Sequence, residues 1–404
     1  MDGLTIGGLR QEMYSESQAT SRRKAAAMLP KNTAGTIGKL LVTGGTGFIG
    51  GAVLAELYDS AVWSKTLIMV RAADLAQARQ RIEDSIARFL PGTPISNLRD
   101  GQIVLSGLED AGRLADDRRI RDVTHVIHSA AVTSFANHPR IQAVNVDASL
   151  AFVATLERCA KVQRFLNVGT AWCVGMDVDK LVAEDGEQGS AEHVVPYTQS
   201  KLEFERRVRR HHPNFPLISA RPSIVVGHTR LGTAPSGSIY WVFRAAQVMG
   251  EFTCGYDERV DVVPVDWVAN ALVHLTAKKE LWYDTYHLAA GETSFSTIGE
   301  LDAAIARGRN TKANGRNGFH RVSTRAIATS VRGKLDQLGD ANPTLLTRAL
   351  TIYSRFAESG VLFENRRTLA EGIAPPPPFH SYAAECARTA ETTSIAAQME
   401  DDFK

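Results

Sequence analysis

Residues 39–50 read KLLVTGGTGFIG, and this stretch decides the fold of the chain. Leu40 to Thr43 form a short apolar run of the kind that predicts a buried strand. Gly44, Gly47 and Gly50 follow in a GxxGxxG array, which opens a helical segment. A glycine turn between a strand and a helix lets the backbone approach a pyrophosphate, whose charge the helix N-terminus attracts. The stretch predicts a dinucleotide-binding loop, with contacts from Gly44, Thr46, Gly47, Phe48, Ile49 and Gly50.

Further short apolar runs recur along the chain, with helical segments between them. They are TLIMVR (66–71), QIVLS (102–106), HVIH (125–128), RFLNVG (164–169), LISARP (217–222) and, late in the chain, YHLAA (286–290). Runs that are apolar throughout suit strands covered on both faces, as in a parallel sheet. Strand and helix in alternation predict an α/β fold with a doubly wound parallel (Rossmann) sheet.

The rhythm of strands and helices divides the chain into three parts. We interpret residues 1–38 as an N-terminal extension and residues 39–230 as the NADP-binding Rossmann domain. Residues 231–404 are predicted to form a smaller, mostly helical substrate lobe, interleaved with the end of the sheet. One amphipathic helix, from Tyr382 to Met399, is expected near the C-terminus.

Composition excludes several classes of function. Among the 404 residues, 46 Lys and Arg stand against 44 Asp and Glu, a net charge of +2, so there is no positive excess to attract nucleic acid. No stretch approaches the roughly 18 apolar residues of a membrane span. The first thirty residues carry charges without an apolar run, so we expect no secretory signal. Four cysteines stand singly, without zinc spacing. We expect a cytoplasmic protein without a transmembrane segment, a metal site or disulfides.

The end of the second predicted strand bears on the choice between NAD and NADP. An acidic residue there accepts from a ribose 2′-hydroxyl, whereas an arginine pairs with a 2′-phosphate. This chain has Arg71 at that place. The sequence therefore favours NADPH.

The segment PYTQSK places Tyr197 and Lys201 four residues apart. On a helix that spacing puts both side chains on one face, one turn apart. An ammonium beside a phenol favours the phenolate, and so the pair predicts a Tyr197 whose pKa is lowered toward neutrality. Thr170, just after the fifth strand, is positioned to hydrogen-bond a substrate carbonyl.

Six segments together resemble the extended short-chain dehydrogenases/reductases. They are TGGTGFIG, VIHSAA (126–131), VNVDAS with Asn145, GTAWCVG, YTQSK and RPSIVVG (221–227). Within that superfamily, MVRA (69–72), RPSIVVGHTRLG and VDVVPVDWVANAL look like the branch of the fatty acyl-CoA reductases and the thioester reductase domains. The likeness covers about residues 39–290.

The resemblance implies a role for each matching residue. Tyr197 would be the general acid, Lys201 its partner and a ribose ligand, and Thr170 the carbonyl-orienting hydroxyl, with Asn145 ordering the site. Arg71 and Arg81 look like the 2′-phosphate ligands. The remaining implied cofactor contacts are Ala130 and Ala131 beside the adenosine and Pro222, Ser223 and Ile224 beside the nicotinamide.

Two positions depart from the branch. Gly169 stands where a serine usually precedes the reactive threonine, and Leu108 stands where an acid usually follows the third strand. The first leaves the hydroxyl of Thr170 in place. The second puts the adenine contact in doubt.

The leading hypothesis is an NADPH-dependent reductase that converts an acyl thioester, from coenzyme A or a carrier protein, to an aldehyde or alcohol. A ketone or enone reductase and a nucleotide-sugar epimerase or dehydratase are alternatives on the same machinery, and a non-catalytic dinucleotide-binding protein is a third. Residues 206–212 form a basic cluster with two interpretations. It is either a solvated helix end or a surface that binds phosphopantetheine or a carrier protein.

Overall fold

A computed structural model describes residues 37–402 of this chain, apart from 136–137, 177, 186–191 and 340. Most of the predicted N-terminal extension, residues 1–38, therefore lies outside the described residues. The strands are β1 Leu40–Thr43, β2 Thr66–Val70, β3 Ile103–Leu105, β4 His125–His128, β5 Arg164–Val168, β6 Leu181–Val182, β7 Leu217–Pro222, β8 Ile224–Val225, β9 Glu251–Phe252, β10 Arg259–Val260, β11 Val262–Val263, β12 Thr285–Leu288, β13 Ser296–Thr297, β14 His320–Arg321 and β15 Leu362–Phe363.

Helices connect these strands and dominate the C-terminal part. They are α1 Phe48–Leu57, α2 Leu75–Ala87, α3 Ser149–Cys159, α4 Pro196–His211, α5 Tyr240–Met249, α6 Val265–Ala277, α7 Gly291–Ser294, α8 Ile298–Gly308, α9 Ile327–Gly333, α10 Leu335–Leu338, α11 Pro343–Ser359, α12 Arg366–Ala370, α13 Phe379–Thr389 and α14 Ile395–Asp402. A π-helical segment, Ile141–Ala148, leads into α3.

Seven strands form one parallel sheet in the order β12-β7-β5-β4-β1-β2-β3. β1 lies near the centre, with Leu40 paired to Thr66 of β2 on one side and to His125 of β4 on the other. The chain reverses its direction of progress across the sheet between β1 and β4, and in such sheets ligands bind at the carboxyl ends beside this switch point. The predicted doubly wound Rossmann sheet is confirmed.

Alternate residues of the strands face opposite layers of helices. Leu40 and Val42 are fully buried in a cluster with residues of α1 and α6, whereas Leu41 is buried on the other face with Phe165 and with residues of α3 and α4. Because both faces are covered, the strands carry apolar residues throughout instead of an alternating pattern.

The C-terminal lobe has its own apolar core. It is built from α5, α8, α9, α11, α13 and α14, and Tyr240 and Trp241 of α5 are fully buried in it. The prediction of one helix from Tyr382 to Met399 is wrong, because the chain turns between α13 and α14. Thr392, Thr393 and Ser394 fill that turn, and the Ser394 hydroxyl accepts from the backbone N–H of Ala397, as a new helix N-cap does.

Some features of the described residues bear on the class of protein. None of the helices seen here has the length and apolar character that a membrane crossing requires. All four cysteines are free thiols; Cys159 is half-buried and the other three are buried. Over the described ranges, no three His, Cys, Asp or Glu side chains cluster in a way that could hold a metal ion.

Candidate active site

The glycine loop between β1 and α1 is shaped by close backbone contacts. Gly44 has a φ of +72°, and a Cβ on it would lie 2.5 Å from the backbone nitrogen of Ala130. A Cβ on Gly50 would lie 2.1 Å from the carbonyl oxygen of Gly44. The N-cap of α1 is Gly47, and no side chain caps the first turn. The uncapped N–H groups of this turn suit an anion, as the pyrophosphate of a dinucleotide requires.

A cavity of about 870 Å³ runs along this loop and the carboxyl ends of the strands. All of the predicted site residues except Asn145 line it, from both the cofactor and the catalytic sets. They are Gly44, Thr46, Gly47, Phe48, Ile49, Gly50, Arg71, Arg81, Ala130, Ala131, Thr170, Tyr197, Lys201, Pro222, Ser223 and Ile224. The fold therefore brings together residues that lie as far as 180 positions apart in the sequence.

The end of the cavity beside β2 and β3 is rich in arginine. Arg71 follows β2 directly. The guanidinium of Arg81 on α2 donates to the backbone carbonyl of Arg71. Arg88, seven residues beyond Arg81 and so on the same side of the helix, donates to the carbonyl of Thr46. The sequence analysis missed Arg88, although its spacing from Arg81 was a usable signal.

An acid stands at this end after all, one residue later than the resemblance suggested. Glu109 lines the cavity beside Leu108, and its carboxylate lies 4.0 Å from the guanidinium of Arg71. Arg140, also in the lining, forms an ion pair with the same carboxylate. Arg140 thus offsets the negative charge of Glu109. With Arg71, Arg81 and Arg88 in the lining, the net charge at this end of the cavity stays positive.

Tyr197 and Lys201 occupy successive turns of α4 and face the cavity. The Lys201 ammonium lies 5.9 Å from the centre of the Tyr197 ring and donates to the carbonyl of Val168 at 2.8 Å. Burial raises the pKa of Tyr197 above its usual value. The expected lowering of the phenol pKa by the neighbouring amine is therefore wrong for the free protein, because desolvation of the phenolate and the nearby Cys173 both raise that pKa.

Lys201 itself is almost fully buried. Burial lowers the pKa of Lys201 to about 8. The negative charge of Glu205 acts in the opposite direction and raises this pKa. The Lys201 ammonium is therefore half deprotonated at a pH only about one unit above neutral.

Thr170 lies two residues beyond the end of β5, at the cavity wall. Its hydroxyl oxygen accepts from the backbone N–H of Trp172 at 3.3 Å, and so it caps the short 3₁₀ helix Ala171–Val174. A hydroxyl has a proton to donate as well as an oxygen to accept with. This geometry combines the cap of a turn with a donor at the cavity wall.

Asn145 lies in the π-helical segment, behind the lining. Its amide oxygen accepts from the backbone N–H of Val132 at 2.7 Å, and its amide nitrogen donates to the Val132 carbonyl and, at 3.0 Å, to the Ser200 hydroxyl. Ser200 in turn donates to the carbonyl of Tyr197. Asn145 thus ties the loop after β4 to the helix that carries Tyr197, which is a positioning contact.

The cavity continues into the C-terminal lobe, where most of the lining residues are apolar. α5 contributes Val242, Phe243 and Ala246, and its N-cap contributes Ile239; the four share the spacing of a single helix face. Aromatic residues close the other side: the Phe135 ring lies 6.1 Å from that of Tyr197 and 5.1 Å from that of Tyr353 on α11. The sequence analysis identified none of these residues, since only the packing of the lobe brings them to Tyr197.

A buried acid that was also missed lies where the lobe meets the sheet. Asp261 lines the cavity and accepts from the backbone N–H groups of Ala290, Gly291 and Phe363. Burial raises the pKa of Asp261, and these donors oppose the rise. The carboxylate holds the C-terminal segment at β15 against the end of β12.

The basic cluster of residues 206–212 lies outside the lining of the cavity. Arg207 pairs with Glu203 and Asp147, and Arg209 pairs with Asp284. These are mostly surface contacts at the end of α4. They match the solvated helix end that the sequence left as one of two interpretations.

A glycine-lined crevice at the switch point, together with a tyrosine and a lysine one helical turn apart, defines an NAD(P)-dependent oxidoreductase of the extended short-chain dehydrogenase/reductase class. Residues 42–272 match the NAD-binding family model described as "Male sterility protein". The chain belongs to this family.

Curated relatives include both peptide synthetases and reductases. The "Non-canonical nonribosomal peptide synthetase FrzA" of Cladobotryum sp is 25% identical over 286 residues, which cover 67% of this chain and 28% of that protein. The "Fatty acyl-CoA reductase wat" of Drosophila melanogaster is 24% identical over 278 residues, which cover 58% and 53%. The chain thus spans little more than a quarter of the synthetase.

Solved structures share the fold. The terminal R domain of the myxalamid PKS-NRPS pathway has a TM-score of 0.68 at 20% identity, covering 92% of this chain and 97% of that one. The reductase domain of a non-ribosomal peptide synthetase from Mycobacterium tuberculosis has a TM-score of 0.63 at 20% identity, covering 92% and 95%.

Proposed function

We propose that this chain is an NADPH-dependent reductase of acyl thioesters, with an apolar acyl group bound in the C-terminal lobe. The observation that carries the proposal is the continuity of one cavity, from the glycine loop past Tyr197 and Thr170 to the apolar stripe of α5. Curated relatives named as a fatty acyl-CoA reductase and as peptide synthetases support a thioester of coenzyme A or of a carrier protein.

The residues of the chain divide the work of the reaction. When bound, NADPH supplies the hydride. Thr170 orients the thioester carbonyl by donating a hydrogen bond to its oxygen, and the neutral Tyr197 phenol protonates that oxygen as its charge develops. Lys201 holds the nicotinamide ribose and supports the phenol. The resulting hemithioacetal collapses to an aldehyde and a free thiol.

The raised pKa of Tyr197 suits this direction of reaction. A phenol that stays protonated near neutral pH is ready to donate, whereas a phenolate would have to collect a proton first. Reduction needs a general acid, and the half-buried phenol at the cavity wall is one.

The direct test follows the loss of NADPH absorbance with a panel of acyl-CoA and acyl-carrier thioesters, with simple ketones as comparison. We expect turnover with thioesters and release of one thiol per aldehyde formed. Turnover of ketones together with no turnover of thioesters contradicts the proposal. Mass analysis of any nucleotide retained by the purified protein tests the epimerase alternative, which predicts tightly held NAD.

Replacing Arg71 by Ala should weaken NADPH binding and leave NADH binding nearly unchanged. A charge-assisted hydrogen bond contributes about 1.5–3 kcal/mol, so we expect a loss of NADPH affinity of roughly 10- to 100-fold. Titration of each nucleotide against the variant measures this difference. Arg113→Ala, an exposed arginine outside the cavity, is the matched control. An equal loss for both nucleotides contradicts the 2′-phosphate role.

Replacing Ala246 by Phe should shorten the acyl chain that the protein accepts. Ser238 donates to the Val225 carbonyl, so α5 begins beside Ile224 and runs into the lobe. At a rise of 1.5 Å per residue, Ala246 lies about 10 Å along the stripe from Ile239. We expect kcat/KM to fall about tenfold or more for long acyl chains and little for short ones.

The short-chain thioester is the internal control for this variant, since a misfolded protein loses activity on both. A uniform loss across chain lengths, with an unchanged melting temperature, contradicts the assignment of the α5 stripe to the acyl chain.

A further inference from the structure

A third functional group extends the helix face of Tyr197 and Lys201. Glu205 follows Lys201 by four residues on α4, and so the three side chains occupy successive turns of one face. Only 1% of Glu205 is exposed. A buried carboxylate is tolerated only when it is paired, so the position of Glu205 calls for a partner of opposite charge.

That partner is Arg221, near the end of β7. Its Nε and Nη2 atoms both donate to Oε2 of Glu205, at 3.1 and 2.6 Å. Both side chains are buried, and neither lines the cavity. The next residues of the chain, Pro222 and Ser223, do line it.

The other oxygen of Glu205 faces the end of β5. Asn167 donates to Oε1 at 3.4 Å, and a Cβ added to Gly169 would lie 2.7 Å from the same oxygen. The carboxylate therefore occupies the space that a side chain at 169 would need. This contact explains why glycine precedes Thr170, where the resemblance leads one to expect serine.

The pair thus contacts each of three segments that form the catalytic part of the cavity. α4 carries Tyr197 and Lys201, the end of β5 leads through Gly169 to Thr170, and the end of β7 leads to Pro222. The contacts are charged hydrogen bonds in a buried place, where their geometry is narrowly defined.

We propose that Glu205 and Arg221 form a buried positioning pair that sets Thr170 against the helix face of Tyr197 and Lys201. The inference deepens the proposed function and rests on it for the roles of these three residues. Glu205 does not line the cavity, and so it acts through its neighbours.

The charge of Glu205 also reaches Lys201. It opposes the effect of burial, which lowers the pKa of Lys201 to about 8. Without that charge the pKa of Lys201 falls further, so the ammonium is lost at a lower pH. Other titratable or charged groups packed around Lys201 and the pair are His128 of β4, Cys173 after β5, Tyr197 of α4 and His287 of β12, beside Arg221 itself.

The experiment replaces Glu205 by Gln, which keeps the shape and removes the charge. Measured at acidic pH, where Lys201 is cationic in both proteins, we expect kcat for the thioester to fall roughly 10- to 100-fold, because a small misplacement of a catalytic group has effects of that size. KM and the Kd for NADPH should stay within about twofold of wild type. The alkaline limb of the kcat profile should move to lower pH.

Two further variants separate positioning from mere stability. Glu203→Gln makes the same change on the same helix, in a surface pair with Arg207, and should alter neither kcat nor the pH profile. The double variant Glu205→Gln with Arg221→Gln restores a neutral hydrogen-bonding pair. It should recover much of the melting temperature while the alkaline limb stays shifted.

A wild-type kcat and pH profile in Glu205→Gln overturns the proposal. So does a fall in kcat that only follows the loss of folded protein, with the alkaline limb unmoved. Titration of NADPH affinity against pH needs no acyl substrate and should show the same shift of the alkaline limb. If no thioester is turned over by the wild type, the proposed function fails, and this titration still tests the effect of Glu205 on Lys201.

Discussion

Replacing Tyr197 by Phe should nearly abolish thioester reduction and leave the cofactor bound. General acid catalysis contributes about 10²- to 10⁴-fold, and we expect kcat to fall within that range. The hydroxyl is the only group removed, and the ring keeps its contact with Phe135 at 6.1 Å between centroids. Stopped-flow oxidation of NADPH under single-turnover conditions measures the chemical step directly.

NADPH titration of the same variant is its control. The Kd should change less than about twofold, because Tyr197 is assigned to the substrate carbonyl and not to the nucleotide. Turnover near the wild-type rate contradicts the role of the phenol. A large loss of NADPH affinity shows instead that Tyr197 helps to bind the cofactor.

Replacing Gly50 by Ala should both destabilise the protein and prevent cofactor binding. The added Cβ would lie 2.1 Å from the Gly44 carbonyl oxygen and 2.6 Å from its carbonyl carbon, both backbone atoms that cannot turn away. The loop must move, and we expect a loss of roughly 3 kcal/mol in the free energy of unfolding. Thermal unfolding with and without NADPH measures this loss and the missing stabilisation by ligand.

Gly47→Ala is the matched control within the same loop. Its Cβ would meet only the Gly44 carbonyl oxygen, at 3.3 Å, so the apo protein should lose much less stability than with Gly50→Ala. Equal melting temperatures for the two variants would contradict the packing described for this loop.

The sheet was predictable because its signals are local. The apolar run of β1, the glycines that follow it and the repeated strand pattern each reflect conditions met within a few residues. The late strand at Thr285–Leu288 was found for the same reason. The break between α13 and α14 was missed because the cap of Ser394 competes with a helical pattern that continues through it.

The candidate site was predictable only as far as its motifs reach. Tyr197 and Lys201 lie on one face because helix geometry requires it. The direction of the phenol pKa was not predictable, since it depends on how completely the rest of the chain excludes water from the ring. Likewise, the apolar stripe of α5 is visible in the sequence. An apolar helix face can line either a cavity or a packed core, and the local sequence does not distinguish the two.

By itself, the sequence determined the dinucleotide loop, the parallel sheet and the spacing of the tyrosine and lysine, since these follow from backbone geometry and short-range patterns. Only the tertiary structure decided that Glu205 and Arg221 meet behind Thr170, and that the lobe extends the cavity beside Tyr197 with a mostly apolar wall. It also decided the direction of the Tyr197 pKa, which desolvation raises. Contacts between distant segments and the exclusion of water are properties of the packed chain, and neither is encoded in any one stretch of it.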